Sequence, residues 1–240
     1  MAPAEAVAQQ ANTWLRQDGF RVIVTLNPEM MVMAQRDPAL NGYLQGADLI
    51  TADGIGVRLA ASMLGQPIPA KVTGSDVLDA LLASHGYRVY VLGASAETNA
   101  KACEKLKQKY PLISVVGGHH GYLNHLDHTQ LMTDIAATAP DIVLVGMGSP
   151  RQDEFLAALR TCLSRGIGVG IGGLLDVISG EKPRAPLWMQ WTGMEWLFRG
   201  LIEPSRVSRW NFIPRFFRLV AISYLTQRLE SAQPHLNPTD

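Results

Sequence analysis

Asp53 has the setting best suited to acid–base chemistry in this 240-residue chain. It follows the apolar run Asp48–Ala52 and precedes the turn sequence Gly54-Ile55-Gly56. A carboxylate at such a junction can accept a proton from a hydroxyl nucleophile. The competing interpretation is a helix N-cap or an Asx turn, and the residues alone favour it.

Other polar residues follow other apolar runs. Thr25 and Asn27 come after the first run, and Arg151 and Gln152 come after Gly146-Met-Gly-Ser-Pro150. Thr25 and Asn27 also suit turns and caps, Gln152 can bind a sugar or decorate a helix, and Arg151 can pair with a phosphate or be solvated. The chain has no GxGxxG after its first predicted strand and no GxxxxGK[ST], which argues against an ordinary dinucleotide fold and a P-loop NTPase.

The cysteine and histidine pattern predicts neither a metal site nor a redox pair. Cys103 and Cys162 are far apart and have no ligands at zinc-site spacing. The side chains of the adjacent residues His119 and His120 point in different directions, and no carboxylate lies at ligand spacing from them. A loop histidine pair with a structural role, or a role at the edge of a bound substrate, is therefore favoured. We therefore expect no metal and no cofactor, and two reduced thiols.

Short β-branched runs alternate with longer helical patterns, which is typical of a parallel sheet covered by helices. The predicted fold class is α/β, with a Rossmann-like, mostly parallel sheet flanked by helices. Ligands of such sheets bind beyond the carboxyl ends of the strands, where helix N-termini suit a phosphate. The predicted strands are Arg21–Leu26, Asp48–Ala52, Arg88–Gly93, Ser114–Gly117, Asp141–Gly146 and Gly168–Gly172, and the predicted helices are Glu29–Arg36, Val57–Leu64, Val77–Ser84, Ala96–Tyr110, His128–Ala139 and Arg151–Arg165.

The charge is unevenly distributed although the net charge is zero. Residues 184–228 carry seven arginines and two glutamates, a net charge of +5, with four of the five tryptophans. This composition predicts a C-terminal helical, membrane-associating appendage, with a helix broken near Pro214. An ordinary packed helix with a solvated basic face is the alternative, and nucleic-acid binding is disfavoured because the aromatics are mixed with aliphatics.

The predicted domains are a Rossmann-like catalytic domain at 1–183, the basic and aromatic appendage at 184–230 and a flexible tail at 231–240. The first residues lack the basic and apolar regions of a secretory signal, and no stretch has the length of a spanning helix. We therefore expect a cytoplasmic protein.

Six short motifs occur in a fixed order along the chain. They are Thr25-Leu-Asn-Pro-Glu29, Ala52-Asp-Gly-Ile-Gly56, Lys71-Val-Thr-Gly-Ser-Asp76, His120-Gly-Tyr122, Gly146-Met-Gly-Ser-Pro-Arg-Gln152 and Glu203-Pro-Ser-Arg206. Together they resemble the WecG/TagA/CpsF glycosyltransferases, glycosyltransferase family 26, from about residue 6 to 225.

The resemblance implies an inverting enzyme of bacterial surface polysaccharide biosynthesis. It would transfer a hexose of the N-acetylmannosamine type from a UDP-sugar to a polyprenyl-diphosphate-linked sugar, without a metal, as a peripheral protein on the inner face of the cytoplasmic membrane. Asp53 matches the general base of the family, which reverses the preference for a cap. Thr25, Asn27 and Gln152 match polar pocket positions, and Arg206 and Arg209 match arginines that would neutralise a diphosphate.

Lys71 departs from the family pattern, which has an arginine at this substrate-binding position. A lysine keeps the charge but loses the planar fork that grips a phosphate twice. Three alternatives stay open: glucosyl transfer in exopolysaccharide assembly, a Rossmann-like nucleotide-dependent oxidoreductase, and a non-catalytic membrane-associated protein that binds sugar nucleotides. A homo-oligomer also stays open.

Overall fold

The computed structural model describes residues 3–83, 85–204 and 210–232. Its centre is one six-stranded sheet in which every neighbouring pair is parallel, in the order β2-β1-β6-β5-β3-β4. The strands are β1 (Gly19–Leu26), β2 (Leu49–Ala52), β3 (Arg88–Gly93), β4 (Ser114–His119), β5 (Ile142–Gly146) and β6 (Arg165–Gly170). The α/β, Rossmann-like prediction is confirmed.

Helices cover both faces of the sheet and so bury it on both sides, as its apolar strands require. On one face pack α1 (Pro3–Trp14), α5 (Gly74–Leu82), α6 (Ala96–Lys109) and α9 (Leu174–Ile178). On the other face pack α2 (Pro28–Ala34), α3 (Pro38–Gln45), α7 (His125–Ala137) and α8 (Arg151–Leu159). The central strand β5 is buried at every residue.

Four more helices complete the described chain: α4 (Ile55–Met63), α10 (Leu187–Trp191), α11 (Glu195–Ile202) and α12 (Phe212–Ala232). A small apolar cluster joins α12 to the body through Phe216 and Val220, which pack with Val32 of α2 and Ala60 of α4. None of the helices described is long and apolar enough to cross a membrane.

The break predicted near Pro214 is wrong within the described residues. Pro214 lies in the first turn of α12, and the helix continues without interruption to Ala232. The first turn of a helix has no internal partners for its N–H groups, so a proline there costs little. Arg206 and Arg209 lie outside the described residues, and so does the tail from residue 233 onward.

Three further differences from the predicted elements have local causes. The helix predicted at Arg151–Arg165 ends at Leu159, because Gly19 donates to the carbonyl of Ser164 and starts the β1–β6 ladder at Arg165. Directly after the helix predicted at Glu29–Arg36, a further helix that was not predicted, α3, begins at Pro38 with Asp37 as its N-cap. Helix α1 was not predicted, and it buries only Val7 and Ala11.

The carboxyl edge of the sheet depends on a close approach between β3 and β5. Gly93 and Gly146 are paired at the ends of these strands. Gly93 has φ +135°, and a Cβ there would lie 2.3 Å from the carbonyl oxygen of Gly146. A glycine is therefore required at this point, where the loops toward α6 and α8 begin.

We expect Gly93→Ala to destabilise the protein by about 3 kcal/mol or more, because the added methyl meets backbone rather than a movable side chain. Gly42→Ala is the matched control, since a Cβ at Gly42 in α3 meets no atom within 4 Å. The control should gain up to about 1 kcal/mol from helix propensity. Urea unfolding of both variants measures this, and equal stability of the two would contradict the role of Gly93.

Candidate active site

The candidate site lies at the ends of the neighbouring strands β1 and β6, whose following helices pack on opposite faces of the sheet. Strand β1 leads to α2 on one face, and β6 leads to α9 on the other. Such a switch point opens a crevice at the carboxyl edge. Thr25 sits at this point, and its Oγ1 donates a hydrogen bond to the carbonyl of Gly170, 3.3 Å away.

Asp53 lies at the same edge, directly after β2. Its N–H donates to the carbonyl of Leu26 at 2.8 Å, which places it beside the end of β1. The N-cap of α4 is Gly54, with φ 94° and no side-chain capping bond. The alternative in which Asp53 caps this helix is therefore wrong, and its carboxylate is available for other work.

The turn after Asp53 packs directly on the motif that follows β1. A Cβ at Gly56 would lie 2.7 Å from Cγ of Pro28 and 3.6 Å from the ring of Phe216. Only a glycine lets the start of α4 approach both residues. The Asn-Pro and Gly-Ile-Gly motifs therefore form one packed unit, which fixes Asp53 relative to Thr25.

Burial dominates the electrostatics of Asp53. Desolvation raises the pKa of its carboxyl to about 6, partly opposed by the positive charges of Arg199 and Lys71 and reinforced by Glu195 and Asp76. Hydrogen bonds to the carboxylate, which would lower its pKa, are not among the causes. The result is a carboxylate that takes up a proton near neutral pH, as a general base requires.

Arg199 is a further candidate for the site, and its sequence position gave no sign of it. It lies on α11 in the predicted appendage, and its charge acts on Asp53 more strongly than that of Lys71 does. Glu195 lies one helical turn earlier on α11, and its charge also acts on Asp53. The four-residue spacing of this acid and base was visible in the sequence, but their electrostatic effect on Asp53 was not.

Lys71 connects the catalytic edge to the appendage. The following residue, Val72, donates to the carbonyl of Ala52 at 3.2 Å, which carries the segment along the end of β2. The Nζ of Lys71 donates to the carbonyl of Gln190 on α10 at 2.5 Å. Lys71 thus holds α10 as well as placing a charge near Asp53.

A capping box follows immediately and begins α5. Thr73 Oγ1 accepts from the N–H of Asp76, and the carboxylate of Asp76 accepts from the N–H of Thr73 at 2.8 Å. The helix predicted at Val77–Ser84 therefore begins three residues earlier, at Gly74, with Thr73 as its N-cap. A Cβ at Gly74 would lie 3.8 Å from Oγ1 of Thr25, so this motif too borders the crevice.

Gln152 approaches the same crevice from α8. Its side chain is buried, and its Oε1 accepts from the N–H of Gly172 at 2.9 Å, just beyond β6. A Cβ at Gly170 would lie 2.8 Å from Nε2, so a glycine is needed beside the amide. Gln152 and Thr25 therefore both border the end of β6.

Asn27 serves as the N-cap of α2, and its Oδ1 accepts from the N–H of Met30 at 3.0 Å. The capping interpretation of this residue is therefore correct. The bond uses only the carbonyl oxygen of the side chain, which leaves the amide nitrogen to donate.

A second carboxylate with a raised pKa lies behind the crevice. Burial raises the pKa of Asp153 to about 6, and its Oδ2 is buried with no hydrogen-bond partner among the described residues. Only 2% of Asp153 is exposed, whereas Asp53 is half-buried. Access to a substrate therefore distinguishes the two, and favours Asp53.

Other candidates have structural partners. Arg151 donates to the carbonyl of Gly121 at 2.7 Å and thereby holds the loop after β4. Nδ1 of His119 lies 2.9 Å from the carbonyl of its neighbour His120. In the described parts of the chain no three His, Cys, Asp or Glu residues are grouped so that they could hold a metal ion.

Lys182 ties the end of α11 to the catalytic body. Its Nζ lies 3.1 Å from Asp176 of α9 and 3.1 Å from Glu203, which follows α11. All three side chains are partly buried, so the pairing is less screened than on an open surface.

We expect Asp53→Asn to stabilise the protein at pH 8 by about 1–3 kcal/mol, because it removes a desolvated charge. The folded-state pKa of about 6 exceeds the ordinary value of 3.8. Folding therefore favours the protonated carboxyl, and wild-type stability falls as pH rises from about 4 to about 6. The advantage of the variant should vanish at pH 4. Urea unfolding at both values measures it, and an equal difference at the two would contradict the raised pKa.

Comparison with known proteins identifies the family. The family model described as "Glycosyl transferase WecG/TagA/CpsF family" matches residues 1–230. An N-acetylglucosaminyldiphosphoundecaprenol N-acetyl-beta-D-mannosaminyltransferase of Bacillus spizizenii is 34% identical over 232 residues, covering 95% of this chain and 88% of the relative. A Staphylococcus aureus protein of the same name is 36% identical over 203 residues, covering 83% and 79%. The chain belongs to the WecG/TagA/CpsF family of glycosyltransferases.

Proposed function

We propose that this enzyme transfers an N-acetylmannosamine-type hexose from a UDP-sugar to polyprenyl-diphosphate-linked N-acetylglucosamine, with inversion. The names of the relatives support the two sugars and the lipid diphosphate. The observation that carries the proposal is the carboxylate of Asp53, which is desolvated, does not cap α4 and lies at the carboxyl edge of the sheet beside the end of β1. This is the setting of a base that must activate a sugar hydroxyl.

The reaction is a single displacement. Asp53 accepts the proton of the acceptor hydroxyl while that oxygen attacks the anomeric carbon of the donor. The bond from this carbon to the UDP oxygen breaks on the opposite face, so the configuration inverts and UDP leaves with the bonding electrons. Because Asp53 is desolvated, its basicity is higher than that of a carboxylate in water.

Positive side chains stabilise the charge that develops on the diphosphates. The charges of Arg199 and Lys71 both act on the pKa of Asp53, which supports assigning them to the diphosphate of a substrate bound there. We assign Arg206 and Arg209 to the diphosphate of the lipid acceptor, as the family resemblance implies. With these cations the reaction needs no metal, and a chelator should leave the rate unchanged.

Polar groups at the ends of β1 and β6 orient the donor. The amide nitrogen of Asn27 and the side chains of Thr25 and Gln152 line the crevice. The buried amide of Gln152 is held by its bond to Gly172, so it offers a fixed rather than a mobile contact.

The appendage at 184–230 places the enzyme on its lipid substrate. We propose that it binds the inner face of the cytoplasmic membrane as a peripheral element, while residues 1–183 carry out catalysis. The net charge of +5 over residues 184–228 supports binding to anionic lipid. The tryptophans of this segment suit the interface between water and hydrocarbon.

The function is tested with a panel of UDP-sugars and a short-chain lipid-diphosphate acceptor, read by mass spectrometry. We expect extension of the acceptor by an N-acetylhexosamine, and a loss of about 10²–10⁴-fold for Asp53→Asn. Asp18→Asn is the control, because this exposed carboxylate precedes β1 at the opposite edge of the sheet. Extension by glucose instead would favour exopolysaccharide assembly, and no product from any donor would favour a non-catalytic binding protein.

The pH dependence of kcat/KM should follow Asp53. The base must be unprotonated, so kcat/KM should rise with pH and level off above the pKa of about 6. Steady-state rates at saturating acceptor and limiting donor, between pH 5 and 8, measure this. A profile that is flat across this range would show that Asp53 does not supply the base.

A further inference from the structure

Helix α4 exposes an apolar stripe that the fold leaves uncovered. Ile55, Leu59 and Met63 are 44%, 52% and 53% exposed. Their spacing of four residues puts them on one face of the helix. The other face is buried through Val57 and Ala60. The α4 stripe, Ile55-Leu59-Met63, is therefore a second apolar face on a helix of the catalytic body.

The α4 stripe begins two residues after Asp53 and continues onto α10. A Cβ at Gly193, in the turn after α10, would lie 2.9 Å from Cβ of Ile55. That turn therefore packs against the first residue of the stripe. Helix α10 itself exposes Leu187, Trp188 and Trp191 at 63%, 55% and 79%.

Helix α12 runs beside α4 in the same direction. Its start lies against the start of α4 through Phe216 and Gly56, and further along it Gln227 Nε2 donates to the carbonyl of Leu64 at 3.4 Å. While α12 buries Phe216 and Val220, its outer side exposes Phe217, Ile222, Leu225 and Leu229. Three neighbouring helices, α4, α10 and α12, thus present exposed apolar side chains.

The charges on these helices indicate what covers this surface. The outer side of α12 also carries exposed Arg215, Arg218 and Arg228, and neither α4 nor residues 212–229 contain an acidic residue. Long cationic side chains among exposed apolar residues, next to tryptophans, suit the interface of an anionic bilayer. A second copy docked on the same surface would bring arginines against arginines, which opposes a symmetric dimer here.

We propose that α4 is itself a membrane-binding element. The α4 stripe enters the interfacial region of an anionic bilayer together with the exposed side chains of α10 and α12. The catalytic body, and not only the appendage, therefore contacts lipid. Because Asp53 directly precedes α4, its carboxylate lies at the level of the lipid headgroups, where the diphosphate of the acceptor assigned under the proposed function would lie.

The test is flotation of the full chain with vesicles of phosphatidylcholine and phosphatidylglycerol. The variant Leu59→Gln/Met63→Gln removes two apolar side chains without adding charge, and leaves Ile55 in its contact with the turn after α10. We expect it to lower the vesicle partition coefficient about tenfold or more. Leu112→Gln, which changes a residue 58% exposed after α6, is the control and should bind as wild type.

Two further measurements separate the alternatives. Thermal unfolding must show that the double variant folds as wild type does, since exposed helix positions accept glutamine. Activity on a short-chain soluble acceptor without vesicles should be unchanged, because neither residue contacts the site. If neither the wild type nor the double variant transfers sugar in this assay, the proposed reaction is contradicted. Flotation then still tests the role of α4.

Unchanged flotation of the double variant would overturn the proposal. So would a fall in the solution mass of the double variant relative to wild type without vesicles, because the α4 stripe would then be an interface between copies of the chain. Weaker flotation of Leu112→Gln to the same extent would show that loss of any exposed leucine suffices, and would equally overturn it.

Discussion

All six strands point in the same direction, and this constraint determines where the site can lie. Parallel alignment brings every strand-to-helix junction to one edge of the sheet, so segments more than 100 residues apart in the chain meet there. For this reason Thr25 near the end of β1 and Gln152 after β5 meet at the end of β6, while Asp53 after β2 lies beside the end of β1. Each glycine at this edge permits an approach that a side chain would block, as between Gly56 and Pro28.

The proposed base chemistry depends on a carboxylate whose negative charge is only partly compensated. Burial desolvates the carboxylate of Asp53 and raises its pKa to about 6. Its partial compensation comes from Arg199 on α11, a helix beyond residue 183. The predicted boundary between catalytic domain and appendage, at residue 183, therefore does not separate two independent units. Arg199 acts on Asp53 across it, and Lys71 donates a hydrogen bond to Gln190 across it. We infer that the appendage is part of the active site as well as its link to lipid.

The alternation of short apolar runs with helical patterns was sufficient to predict the sheet. Strands that are buried on both faces are apolar nearly throughout, so each run is recognisable in the sequence. The bounds of β3 were predicted correctly, while β6 was placed three residues too late because glycines at Gly166 and Gly168 mask its start. Helix α1 went unpredicted because only two of its residues are buried. In the site, the junction residues were predictable from spacing. Arg199 was not, because its effect on Asp53 depends on bringing α11 close to a residue 146 positions earlier in the chain, which no local pattern encodes.

The pairing of β1 with β6 has a consequence for how the protein is made. Gly19 pairs with Arg165, 146 residues later in the chain. The first strand, β1, therefore pairs with β6, the strand that is synthesised last. During synthesis, β1 and β2 can pair early, and so can β3, β4 and β5, but the two sets are joined only when β6 enters between β1 and β5. Such non-local closure slows folding. The crevice between β1 and β6 is therefore completed late, and a nascent chain that lacks β6 cannot bind substrate there.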